Sequence, residues 1–263
     1  MTAPLLLALD FDGVICNGLV EYFQVSHETH RLLWPQHELQ ATETLAEQFY
    51  RLRPVIETGW EMPVLLEALR QGSKESDLAA DWATYRNEIV HAGKVDPRAA
   101  AKSLDGVRDR WITEDLSGWL ALQTFYPGVV EHLQQLVATG LNLYIISTKE
   151  GRFIQQLLKQ AAFEFPAERI FGKEVKKPKY QTLRDLQAKW SLATEDIWFV
   201  EDRLKTLQAV QAEADLAQMP LFLVDWGYNT ASEREEARQT AGIRVLSQTQ
   251  FGQGFAHWLE SAE

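Results

Sequence analysis

Four short apolar runs in this chain each end abruptly on a polar residue. Leu5–Leu9 stops at Asp10, Leu141–Ile146 at Ser147, Ile197–Val200 at Glu201 and Leu221–Val224 at Asp225. Short apolar runs bounded in this way read as strands buried on both faces, as in a parallel sheet. Arg169–Phe171 is a weaker candidate of the same kind. Helical spacing fills the intervals: Phe153, Leu157, Leu158 and Ala161 make one apolar face, and Leu204, Leu207, Val210 and Ala214 another. Strands alternating with helices predict an α/β fold, a doubly wound parallel Rossmann-like sheet. Ligands of such sheets bind at the carboxyl ends of the strands.

More than a hundred residues separate the first run from the second, far too many for one crossover, so a further unit is inserted there. Its pattern is helical. Leu45, Phe49 and Leu52 share a face, as do Leu78, Trp82, Tyr85 and Ile89. Gly93 would end the second of these helices, and Asp96-Pro97 would cap and begin the next, which carries Leu104, Val107 and Trp111. Five of the nine tryptophans (Trp34, Trp60, Trp82, Trp111 and Trp119) fall in this stretch, enough for a small core of its own. The expected division is an α/β core of residues 1–17 and 125–263 and a helical cap of residues 18–124.

Charge and cysteine usage narrow the function. A net charge of −11 argues against nonspecific nucleic-acid binding, which wants a basic face. No apolar run approaches the roughly 20 residues of a spanning helix, so no membrane partner is expected. Leu5–Leu9 is too short for a signal peptide's apolar region and has no basic residue before it. Cys16 is the lone cysteine, which rules out intramolecular disulfides and suits a reducing, cytoplasmic setting.

The chemistry-bearing residues sit where the runs end. Asp10-Phe11-Asp12-Gly13 follows the first. A lone Asp-Gly is an ordinary turn. Two carboxylates straddling an extended residue can instead divide labour, one attacking and the other handling protons. Ser147-Thr148-Lys149 follows the second run; a hydroxyl there suits phosphate oxygens, though Ser and Thr are also common N-caps. Lys176-Lys177-Pro178-Lys179 is either a solvated basic patch or the source of an ammonium group that neutralises a phosphoryl group. Glu201-Asp202, after the third run, can cap a helix or offer hard oxygen ligands to a metal ion.

Taken in order, these motifs resemble the haloacid-dehalogenase superfamily. Asp10-Phe11-Asp12-Gly13 is similar to its first motif, Ser147 to the second, Lys177-Pro178 with Leu183 to the third, and Glu201-Asp202 to the acidic fourth. Tyr126-Pro127-Gly128-Val129 and Val224-Asp225-Trp226-Gly227-Tyr228-Asn229 resemble stretches of its phosphoglycolate-phosphatase-like branch. The resemblance implies a Mg²⁺-dependent phosphatase acting on a small phosphorylated metabolite through an aspartyl phosphate. Asp10 would be the nucleophile and Asp12 the acid/base. Ser147, Thr148 and Lys177 would bind phosphate, with Lys176 and Lys179 as substitutes for Lys177. The ion would be held by Asp10, the main-chain carbonyl of Asp12 and Asp202, with Glu201 in support. The cap would close over the site, with Arg51, Arg53 and Glu57 as candidate substrate contacts, although Arg53 before Pro54 reads equally as a helix end.

Two positions depart from the pattern: Thr206 stands where a second acid is frequent, and Glu201 where glycine or serine is. A phosphomutase of the same fold keeps both aspartates, and a catalytically weak binding or regulatory protein could share the fold. A dehalogenase has no use for Asp12.

Overall fold

The computed structural model describes residues 3–260. They fall into two compact units, one running to Asn17 and resuming at Phe125, the other Gly18–Thr124.

The first unit is built on six strands: β1 (Leu6–Leu9), β2 (Asn142–Ile146), β3 (Ile170–Phe171), β4 (Ile197–Glu201), β5 (Leu221–Val224) and β6 (Ile243–Leu246). Their order is β3-β2-β1-β4-β5-β6, and every neighbouring pair is parallel. The expected doubly wound α/β sheet is therefore present. β1 lies at its centre, with Leu6 opposite Asn142 on one side and Ile197 on the other. Side chains alternate across a strand, and both faces are apolar here. On one, Leu6, Ala8, Tyr144, Ile146, Phe199 and Leu223 pack with Leu183, Leu186, Leu204 and Leu207 of the Lys179–Trp190 and Leu204–Gln211 helices. On the other, Trp198 lies 5.0 Å from Phe222 and 6.0 Å from Trp258, measured between ring centres. Truncating Leu7 or Phe199 to alanine should cost about 2–5 kcal/mol, because both are wholly buried.

The sixth strand is an addition to the four runs and one weak candidate. Its residues alternate, with Arg244 exposed between buried Ile243 and Val245, as fits an edge strand with one wet face.

The second unit is helical, as its periodicity predicted. Phe23, Phe49, Leu65, Trp82 and Leu104 contribute to its core. One detail differs from the spacing: Leu78 and Ile89 lie on two helices, Glu75–Ala80 and Trp82–Ala92. Asp81 leaves helical geometry between them, and its carboxylate accepts from Thr84 N at 3.2 Å, so an N-cap interrupts an otherwise continuous apolar face. Asp96 caps the Pro97–Glu114 helix and Gly93 ends the one before it, both as expected. Buried carboxylates are paired: Glu21 accepts from Arg108 Nε at 2.7 Å and from Trp119 Nε1 at 3.0 Å. Arg51 donates to Glu75 at 2.9 and 2.8 Å. Arg53 opens a short 3₁₀ turn with Pro54 and donates to Ile56 O at 3.2 Å.

Candidate active site

The sheet delivers its polar residues to one edge, the carboxyl ends of the strands. Asp10 follows β1 and extends the ladder, its N–H donating to Val200 O at 2.9 Å. The chain then turns sharply: Cys16 N donates to Phe11 O at 2.8 Å and Gly13 N to Cys16 O at 2.8 Å. Gly13 takes φ +84°, and a Cβ there would stand 2.1 Å from Asp202 Oδ2. Only glycine fits both the conformation and the space.

Asp10, Glu201 and Asp202, all buried, place carboxylate oxygens within 4.8 Å of one another. Asp10 Oδ1 accepts from Phe11 N at 2.7 Å and lies 2.8 Å from Lys179 Nζ. The same ammonium donates to Glu201 Oε2 at 2.7 Å. Glu201 Oε1 accepts from the main-chain N–H groups of Asp202 and Arg203, each at 3.2 Å. Asp202 is fixed from the loop after β5: Tyr228 N donates to its Oδ2 at 2.8 Å, and Asn229 Nδ2 to its carbonyl at 2.9 Å. Asn229 is itself held by Arg234, 3.0 Å from its Oδ1. Thr206 sits in the first turn of the Leu204–Gln211 helix.

Crowding shows in the ionisation of the group. Burial, and then the charge of Asp10, push Glu201 well above the usual carboxylate range and Asp202 up to about 6. Burial opposes the charge on Lys179, but Asp10 and Glu201 outweigh it and hold the ammonium firmly protonated. The donor set is oxygen alone, from three carboxylates, the chemistry a hard divalent cation selects. A cation among these carboxylates would offset both the burial and the repulsion that raise Asp202.

Lys177 is not brought to this cluster. Its side chain is 51% exposed and pairs with Asp185 at 2.8 Å, whereas that of Lys179 is 13% exposed and meets Asp10. The helix explains the difference. Lys176 takes a left-handed conformation, Pro178 precedes the first turn, and Lys179 is the first residue of the helix.

Ser147 is buried after β2, its N–H donating to Phe171 O at 2.9 Å. Its Oγ accepts from Lys149 N at 3.1 Å, which leaves the hydroxyl proton for another acceptor. Thr148 is exposed. Lys149, to which the sequence motif assigns no role, sends its Nζ to 3.2 Å from Asp12 Oδ1. Residue spacing gives no role to Tyr228 and Asn229, which anchor Asp202; the turn-prone Gly227-Tyr228-Asn229 stretch after an apolar run is the signal that points to them.

The family model of the haloacid dehalogenase-like hydrolases matches residues 5–212 of this chain. Among solved structures, a predicted phosphoglycolate phosphatase of Haemophilus somnus 129PT is similar at 19% identity and TM-score 0.58, over 97% of this chain and 96% of that one. A predicted phosphatase of Clostridium acetobutylicum is similar at 16% identity and TM-score 0.55, over 95% and 97%. A HAD family hydrolase of Deinococcus radiodurans R1, solved with phosphate and sodium bound, covers 100% of both chains at 15% identity and TM-score 0.56. At these identities the likeness is one of fold. No curated protein matches the chain.

Proposed function

The chain belongs to the haloacid dehalogenase-like hydrolase family, and we propose that within it the protein is a Mg²⁺-dependent phosphatase of a small phosphorylated metabolite. The observation that carries this reading is Asp10, a buried carboxylate held at the carboxyl end of the central strand by Phe11 N–H and Lys179, beside Glu201 and Asp202.

In the first step a carboxylate oxygen of Asp10 attacks phosphorus. The bond from phosphorus to the ester oxygen breaks, that oxygen keeps the electron pair, and Asp12 gives it a proton. In the second, a water oxygen attacks the same phosphorus while Asp12 takes its proton. The bond from phosphorus to Asp10 breaks, its electron pair returns to the carboxylate, and phosphate leaves. Ser147, with its hydroxyl proton free to donate, and Lys179 bind the phosphoryl oxygens; Lys179 thus takes the role expected of Lys177. Thr148 is an additional phosphate contact from the same loop.

Magnesium, held by Asp10, the main-chain carbonyl of Asp12 and Asp202, would offset negative charge as the phosphoryl group arrives. Glu201 supports the site from behind: its oxygens already accept from Lys179, Asp202 N and Arg203 N. Net charge of −11 is no obstacle to an anionic substrate when lysines and a divalent ion make the pocket locally positive.

The phosphatase descriptions of the similar structures support phosphate release over other hydrolytic chemistry. No described helix is long and apolar enough to cross a membrane, and the lone cysteine, Cys16, is buried. A single buried thiol suits a reducing, cytoplasmic setting.

The test is phosphate release from a panel of phosphorylated metabolites and an aryl phosphate, with and without Mg²⁺. The reading expects release only with the metal. Isomerised sugar phosphate with no free phosphate would contradict it.

A further inference from the structure

The two aspartates at the end of β1 are each matched with a separate lysine. Asp10 meets Lys179, from the helix after β3, at 2.8 Å, and Asp12 meets Lys149, from the loop after β2, at 3.2 Å. Carboxylates so close in sequence repel one another, and cations arriving from different loops draw them to different positions.

Lys149 is well placed to hold such a position. Its N–H donates to Ser147 Oγ at 3.1 Å, and its carbonyl accepts from Lys173 N at 3.0 Å. The loops touch so closely that a Cβ on Gly172 would lie 2.7 Å from Lys149 O and 2.3 Å from Gly151 N. The backbone is therefore fixed on both sides. The side chain is only 9% exposed, so its ammonium has little freedom to leave Asp12 for solvent.

We propose that Lys149 is a positioning residue for Asp12, holding its carboxylate over the path of the leaving oxygen and the attacking water and away from the carboxylates around Asp10. This rests on the phosphatase reading and gives a role to a side chain outside the nucleophile's own cluster. Losing the position harms most the step in which Asp12 must act as a base. With an aryl phosphate the leaving oxygen needs little protonation, so formation of the phosphorylated enzyme is spared and its hydrolysis is not.

Rapid-quench kinetics with an aryl phosphate and Mg²⁺ test it, on the full chain and on Lys149→Met and Lys149→Arg. Misplacing a catalytic group by about 1 Å can cost about 10²-fold. Lys149→Met should therefore slow hydrolysis of the phosphorylated protein by roughly that factor and show a burst of phenolate. Its formation rate should stay within about threefold and its KM within about twofold, and Lys149→Arg should recover a large part of the loss. If Lys149→Met does not fold, Lys149→Gln takes its place. Unchanged partition between the two steps would overturn the inference. So would a raised KM with kcat intact, which would place Lys149 on the substrate instead. If the unaltered protein releases no phosphate from any phosphate ester with Mg²⁺, the phosphatase reading fails first and takes this inference with it. Release by the unaltered protein with no effect of Lys149→Met sinks the inference alone.

Discussion

Lys179 Nζ stands 2.8 Å from Asp10 Oδ1 and also bonds Glu201, whose side chain is 1% exposed. A single ammonium thereby holds the carboxylate assigned to attack and keeps a buried acid from standing unpaired. Removing it costs both. Lys179→Met should abolish turnover and destabilise the fold by about 3–5 kcal/mol, since one partner of a buried pair is left behind. Lys177→Met breaks only an exposed pair with Asp185. It should shift stability by less than about 1 kcal/mol and leave activity near that of the unaltered protein. Urea unfolding and steady-state assays on both variants check this. Equal effects of the two would contradict the assignment.

The difference between these lysines marks how far the sequence could be read. Asp10, Ser147, Glu201 and Asp202 were legible because each stands at the end of an apolar run, and a strand's end fixes where its side chain must go. In Lys176-Lys177-Pro178-Lys179 the choice depends on where a helix begins and on a left-handed residue at Lys176, neither of which shows in residue spacing. Lys149 was hidden for a related reason: its reach to Asp12 depends on how the loop after β2 is pinned to the Gly172–Lys173 backbone. β6 is hard to see in the sequence because Arg244 interrupts its apolar run, and helical spacing over Leu78–Ile89 does not show that Asp81 caps a second helix there.

Metal dependence separates Asp202 from Glu201. Chelation should abolish hydrolysis, and added Mg²⁺ should restore it. The ion should also stabilise the protein, by about 2.7 kcal/mol at a hundred times its Kd. Asp202→Ala should raise the Mg²⁺ needed for half-maximal stabilisation, read as a thermal shift without substrate. Glu201→Gln should affect this much less, because that carboxylate is committed to Lys179 and two main-chain N–H groups. A larger shift from Glu201→Gln than from Asp202→Ala would reverse the ligand assignment.

Acid should weaken the helical unit through Glu67. Its carboxylate, 1% exposed, accepts from Arg70, Gln71 and buried His30. Burial alone would raise its pKa, but these donors outweigh it and hold it at about 2 against an ordinary 4.5. A depressed carboxyl pKa stabilises the fold above the unfolded value. That contribution, on the order of 3 kcal/mol, fades as pH falls from about 4.5 through about 2. His30 acts at higher pH: burial lowers its pKa, so the folded state resists protonating it and stability begins to fall as pH drops below about 6.5, before Glu67 titrates. Denaturant unfolding across this range should show stability falling in the unaltered protein and a flatter profile in Glu67→Gln. Parallel profiles would mean that Glu67 does not set the acid limit.

If the protein is the proposed phosphatase, Asp10 carries the phosphoryl group. This is tested most directly in Asp12→Asn, which keeps the nucleophile but lacks the base for the second step, a group worth about 10² to 10⁴ in rate. The variant is mixed with an aryl phosphate and Mg²⁺, quenched in acid within the first turnover, and its peptides are mapped for covalent phosphate. The expected result is a burst of phenolate near one equivalent and acid-stable, alkali-labile phosphate on the peptide containing Asp10, with neither in an Asp10→Asn, Asp12→Asn double variant. Phenolate release with no bound phosphate, or with phosphate on a residue other than Asp10, would contradict it.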